Sequence, residues 1–422
     1  MTFPQMATVK QTFDNRRVED IPATVTAELE RVGIQNKLKP GQKVAVTAGS
    51  RGIANIAEVT KSAVDFVTGC GAKPFIFPAM GSHAGATAEG QKAMLANFRI
   101  TEKSMGCPIL STMEVVEIGK SPDMLPIFID EYAHSADHII VINRVKPHTK
   151  FEGDVESGLM KMMAIGMGKR HGADLYHKAF IQFGIKRVIE TVGLVVMERC
   201  PILCGLGIVE NGYDQTAVIR ATLPDGLLAD EKKLLVQSRR MMARIPFPEI
   251  DLLIVDEMGK NISGTGMDTN ITGVNRDVLG TFSSEPHTKW LFVRDLAPES
   301  EGNAIGIGLA TFTTSRLVEK IDRQKTYINC LTAISPEKAA IPLYFDTDRE
   351  CVAAAMSCLG MIKPEDVRIV HIRNTLTLEN LHVSRAYLPE IEKQAGLEIT
   401  GPWRQLPFGE DGNILSPFLS DG

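Results

Sequence analysis

Apolar runs separated by glycine, proline and polar turns give this chain the rhythm of alternating strands and helices. After the turn Lys39-Pro40-Gly41-Gln42, residues 43–47 read as a buried strand. Residues 49–54 are a loop, and 58–66 have helical spacing with Val59, Ala63, Val64 and Val67 on one face. Gly69-Cys70-Gly71 ends that helix, and 74–78 is the next strand, which completes a β-α-β unit with a right-handed crossover. Further strands are predicted over 138–142 and 204–209, and a helix over 227–244. Ile245-Pro246-Phe247-Pro248 reads as a boundary. Beyond it, strands are predicted over 251–256, 290–294 and 367–372, a helix over 315–322 and an apolar segment over 352–359. The first 30 residues and the tail after Pro402 show no sustained period.

The expected fold is therefore α/β with two domains, residues 1–246 and 247–422, each a mostly parallel sheet flanked by helices. A ligand site is expected in the cleft between them. Three predicted strands lead into loops with reactive side chains: Arg51 after the first, His83 after the second, and Arg144, Lys146 and His148 after the third. In open α/β sheets the carboxyl edge of the strands is where ligands bind.

Composition narrows the partners. With 422 residues, 44% hydrophobic and 23% charged, the chain is an ordinary globular protein, expected in the cytoplasm. A net charge of −5 and the lack of a basic block argue against nucleic acid and anionic membrane. Met1 to Gln5 show no signal-peptide pattern, and no apolar run reaches the ~20 residues of a membrane span. The seven cysteines are scattered, which suits a reducing compartment. Cys200 and Cys204 lack the second pair that a zinc knuckle needs and read as buried hydrophobes.

The chemistry concentrates between positions 147 and 177. Lys161 stands in a methionine-rich apolar run (Met160, Met162, Met163, Met167). Such a lysine either snorkels to the wet face of a helix or is desolvated, loses its proton and becomes a nucleophile. His148 lies between Lys146 and Lys150, whose charges disfavour its protonated form. His177 follows on or near a predicted helix, with His171 as competitor for the same role. Gly166-Met167-Gly168-Lys169-Arg170 does not fit a phosphate loop but still offers backbone N–H groups or a cation to a phosphate. His134, His138, His287, His371 and His382 read as structural or surface residues. The loop 258–270, dense in hydroxyls, amides and glycine, reads as a polar-ligand loop, with Lys260 as the candidate grip on a carboxylate.

The set Pro147-His148, Ser157-Gly158-Leu159-Met160-Lys161 and His177 resembles the core of the nickel-pincer lactate racemase family, whose Pro-His, Ser-Gly-Gly-Arg-Lys and histidine occur in that order. Gly81-Ser82-His83 resembles that family's Gly-Thr-His, and Arg51 of Gly49-Ser50-Arg51 stands where the family has an active-site arginine. The resemblance covers roughly residues 40–180, with Leu159-Met160 in place of Gly-Arg. It implies a 2-hydroxyacid racemase or epimerase that moves hydride from C2 to a nickel-pincer nucleotide, a pyridinium bisthiocarboxylic acid mononucleotide. Lys161 would tether it covalently, Ser157, Gly158 and Arg51 would help to bind it, and His177 would ligate nickel. His83 and His148 would be the acid/base pair, and Arg51 with Lys260 would hold the substrate carboxylate. Cofactor-synthesis enzymes would be needed for loading. The family's Tyr-Pro and Gln-x-x-Lys substrate pattern is missing, which points to a substrate more polar than lactate.

Two other classes stay open at this level. His83, His148 and His177 would suit an open zinc site and a hydrolase, with Lys161 structural. A non-catalytic relative would bind only the nucleotide. The sequence sets no oligomeric state.

Overall fold

The computed structural model describes residues 2–277, 280 and 285–418. The chain folds as two compact units, one spanning 14–242 and one combining the segments up to Phe13 and from Ala243 onward. The first strand, β1 (Gln5–Gln11), pairs antiparallel with a strand near the other end of the sequence, so residues 2–13 fold with the later unit.

In the 14–242 unit, helix α1 (Ile21–Arg31) starts at Asp20, whose side chain accepts the Ala23 N–H, with proline in its first turn. Strand β2 (Lys43–Ala48), helix α2 (Ile56–Gly69) and strand β3 (Lys73–Pro78) form the expected unit. Val59, Ala63, Val64 and Val67 are buried together, as their spacing requires. Helix α3 (Ala88–Asn97) and the hairpin β4 (Val115–Lys120) and β5 (Pro126–Asp130) lead to β6 (His138–Arg144). Helices α4 (Lys169–Phe183) and α5 (Ile185–Arg199) precede β7 (Ile202–Glu210), β8 (Thr216–Thr222) and α6 (Pro224–Met241). The sheet order is β3-β2-β6-β7-β8, parallel except for β8. Strands β3, β2 and β6 are thus adjacent and parallel, and their loops leave the same edge. Arg144 is the last residue of β6 rather than a loop residue.

The other unit is built on β9 (Glu249–Met258), β10 (His287–Leu296), β11 (Phe312–Thr314) and β12 (Leu343–Phe345). They are joined by β13 (Ile369–Ile372), β14 (Asn380–Ser384), β15 (Leu397–Ile399) and β16 (Arg404–Gln405). The order is β12-β11-β10-β9-β13-β14-β1-β15, with β16 against β1, and the first five strands are parallel. Helix α7 (Asp348–Ser357) covers one face through Cys351, Val352 and Ala355. The 315–322 helix stops at Glu319, and a further helix, Arg323–Thr332, follows. His371 is buried with Nε2 2.6 Å from Asp256, and His382 is buried beside it. The thiols of Cys200 and Cys204 are buried and pushed up to about 12 by desolvation. Among the described residues, no helix is long and apolar enough to cross a membrane.

Candidate active site

The loop after β2 carries Ser50 and Arg51, and the loop after β3 carries His83. A hydrogen bond joins the two loops, between Ser50 Oγ and His83 Nδ1. The His83 loop is conformationally expensive: Ala84 and Ala86 both have positive φ, at 55° and 53°. Its neighbours hold it in place. Gln91 on α3 donates from Nε2 to the Gly81 carbonyl at 2.9 Å and to that of His83 at 3.4 Å. Gln91 Oε1 in turn accepts from Lys169 Nζ at 2.5 Å, and Lys169 also donates to the Pro78 carbonyl at 2.8 Å. Lys169 is fully buried, 3.5 Å from Asp130. Burial raises the Asp130 carboxyl to about 6 against the pull of that lysine. Lys169 therefore pins the His83 loop from below and is committed there rather than offered to a phosphate. Arg170 is exposed and pairs with Asp174.

His148 sits in the long connection after β6. The carboxylate of Glu156, 1% exposed, accepts the N–H of His148 and of Gly153 and pairs with Arg239 on α6. This folds 148–156 around a buried anion. His148 Nδ1 accepts the Lys150 N–H at 3.0 Å, so in the neutral ring Nε2 carries the proton. Phe151 packs on the same ring, 4.8 Å between centroids.

The connection closes with a backbone pair between Lys146 and Ser157. Gly158 follows, its carbonyl held by Asn143 Nδ2 of β6 at 2.8 Å. Its φ of −174° suits any residue, so dihedral freedom does not explain the glycine. Space does: a Cβ here would lie 2.2 Å from Glu231 Oε1. Glu231, on α6 and 1% exposed, accepts the Met160 N–H at 2.8 Å and that of Leu159. It caps the helical turn Leu159–Lys161, which otherwise starts without a side-chain cap. Burial pushes its carboxyl up to about 7, and Oε1 has no hydrogen-bond partner. The turn then widens into a π-helical turn, Met162–Gly166, with the Met167 N–H bonded to the Met162 carbonyl at 2.9 Å.

Lys161 leaves this turn into a cation-rich recess. Desolvation first, then Arg51 and Lys150, lower its ammonium to about 7, with Glu156 opposing. His177, on α4, is lowered to about 4 by burial and then by Lys161 and Lys150, with Asp174 opposing. Lys161 acts on His177, and the two share Lys150 as a neighbour. Arg51 is pushed below its usual range by the protein packed around it and by Arg144, though part of the side chain stays open to solvent. Arg144 itself pairs with Glu210 at the end of β7. Arg51, Lys150, Lys161 and His177 thus share one neighbourhood that calls for an anion.

Lys260 lies in the other unit. Its Nζ donates to the Gly264 carbonyl at 2.9 Å and to Asn329 Oδ1 at 2.8 Å. His171 is exposed and meets Phe128 edge-on. Among the described residues, no three His, Cys, Asp or Glu side chains gather closely enough to hold a metal ion, so His83, His148 and His177 are not assembled as a zinc triad. Glu156, Lys150, Glu231, Gln91 and the buried fate of Lys169 are the parts that sequence reasoning misses.

No protein-family model and no curated protein matches the chain. Among solved structures, it is similar to the lactate racemase apoprotein from Thermoanaerobacterium thermosaccharolyticum, at 12% identity and a TM-score of 0.52, over 88% of this chain and 99% of that one. It is also similar to a protein from Thermotoga maritima, at 13% identity and a TM-score of 0.51, over 84% of this chain and 94% of that one. At such identities the likeness is one of architecture: the chain has a lactate racemase-like α/β fold.

Proposed function

We propose that this protein is a racemase or epimerase of a 2-hydroxycarboxylic acid that works with a nickel-pincer nucleotide tethered to Lys161. One observation carries the reading: a lysine amine near neutrality stands with a neutral histidine among Arg51 and Lys150, at the strand edge whose neighbouring loops carry His83 and His148. The donor set fits such a group. A neutral amine bonds covalently, a neutral imidazole ligates a metal, and the cations answer phosphate and carboxylate. When bound, the nucleotide would supply an electron-poor centre that takes hydride from C2 and returns it.

The chain's own residues supply the rest. Arg51 grips the substrate carboxylate and, being partly desolvated, does so more strongly than in water. His83, donating from Nδ1 to Ser50, turns an Nε2 lone pair to the substrate hydroxyl and takes its proton. His148 presents Nε2–H to a substrate oxygen. To take a proton there instead, the ring must pass to its other neutral tautomer, gaining the Nδ1 proton, losing the Nε2 proton and releasing the Lys150 N–H. The two histidines so differ in resting state, as the two sides of an inversion require.

The test is intact-protein mass spectrometry of the chain co-expressed with pincer-synthesis enzymes, followed by peptide mapping. A nickel-bearing mononucleotide on the Lys161 peptide is expected. An unmodified peptide, under conditions that load a lactate racemase, would overturn the reading.

A further inference from the structure

The nine-stranded sheet ends at β12, which among the described residues pairs only with β11. Its outer side is apolar. Ala339-Ala340-Ile341-Pro342-Leu343-Tyr344-Phe345 has no charged residue, and Ile341, Leu343 and Tyr344 are 47%, 63% and 52% exposed. Edge strands are normally guarded by an outward charge. Here the lysine at the head of the segment, Lys338, is turned inward, fully buried at 2.9 Å from Asp277. The preceding helix, Arg323–Thr332, packs on the turn Pro336–Ala339 and exposes Tyr327, Ile328 and Leu331, each by more than half. These six side chains leave on the order of 600 Å² open, the upper end of what a monomer shows and close to the ~800 Å² each partner contributes to a standard interface.

We propose that this edge is the interface of a homodimer, with β12 laid antiparallel against its own copy across a two-fold axis. The edge is self-complementary in that arrangement: Tyr344 meets Tyr344 of the second copy, and Leu343 meets Phe345. The segment 339–345 carries no charge by which a different partner would be chosen; the exposed charges beside it are Arg323 and Lys325 on the helix and Asp346 after the strand. Pro342 has no N–H to give, so backbone pairing is confined to three residues and the apolar side chains carry the contact.

Light scattering after gel filtration of the full 46.1 kDa chain is expected to give a dimer at micromolar concentration. Tyr344→Lys sets two lysines opposite each other and should weaken the dimer at least tenfold, with an unchanged circular dichroism spectrum. A second variant guards against misfolding: Tyr344→Cys in a Cys358→Ser background should form an intermolecular disulfide on mild oxidation, because a residue on the axis meets its own copy. A monomer throughout the range, or a dimer indifferent to Tyr344→Lys and not cross-linked through Cys at 344, overturns the proposal.

Discussion

Gly158→Ala tests how the Lys161 turn is held. The added Cβ would stand 2.2 Å from Glu231 Oε1 and 2.7 Å from Cδ, so the carboxyl must withdraw. It cannot withdraw freely, since it holds the N–H groups of Leu159 and Met160. Each such bond to a charged acceptor is worth about 1.5–3 kcal/mol, so losing one or both costs about 2–5 kcal/mol. Locally this means backbone exchange at 159–161 at least about 30-fold faster. Both tryptophans, Trp290 and Trp403, lie in the 243–422 unit, so fluorescence would report the wrong half. Hydrogen exchange of the 157–168 peptide by mass spectrometry reports the right one. The control is a double-mutant cycle: with Glu231→Ala the space is already open, and Gly158→Ala should then cost about 1 kcal/mol or less. Additive effects, or unchanged exchange in the single variant, would refute the reasoning.

Three further outcomes follow from the same geometry. An amine-directed reagent should modify Lys161 with a midpoint near pH 7, against the ordinary lysine range near 10.4, and its protonated form should weigh against the folded state, so its contribution to stability grows as pH rises from about 7 to 10; a midpoint near 10 would contradict the desolvation assigned to it. Lys169→Met strips Asp130 of its cation and should destabilise by about 3–5 kcal/mol at pH 8 but less at pH 5.5, because the carboxyl, already raised to about 6, rises further and gives stability that is lost as pH climbs through that value; thermal melts at the two pH values check it, and Asp130→Asn should relieve the pH dependence. Ser50→Ala should lower kcat of the loaded enzyme about tenfold with little change in KM, by freeing the His83 ring, and steady-state kinetics that leave kcat unchanged would remove Ser50 from the site.

The strands that position the site were legible because each is a short apolar run bounded by turn residues: 43–47, 74–78 and 138–142 fall inside β2, β3 and β6. Their adjacency brings the loops that carry Arg51, His83 and His148 to one sheet edge, and that too follows from β-α-β logic. Strand β1 was not legible, because its partner β14 lies far along the chain and its alternation serves a sheet that the local sequence does not reveal. The start of α1 carried a readable signal, Asp20 before Ile21-Pro22, and its buried stripe Ile21, Val25 and Leu29 has helical spacing that the polar residues around it obscure. Glu231 stands between Asp230 and Lys232, where the pattern reads as a wet face, and only its meeting with Gly158 explains its burial.

Lys161 and Lys169 show why burial alone does not make a reactive lysine. Both sit in the same apolar stretch, eight positions apart, and its hydrophobic pattern gives no reason to separate them. Lys169 meets a carboxylate and two oxygen acceptors, which hold its charge in place and spend its hydrogens on the His83 loop. Lys161 meets Arg51 and Lys150, with Glu156 as the lone opposing influence, and that carboxylate is already engaged by Arg239 and two backbone N–H groups. Like charge nearby disfavours the ammonium, while an opposite charge at contact preserves it. Desolvation lowers both ammonium groups, but Asp130 opposes it at Lys169, whereas Arg51 and Lys150 add to it at Lys161 and bring that amine to about 7. What separates them is the sign of the neighbours delivered by distant segments, Asp130 from a hairpin strand and Arg51 from the loop after β2.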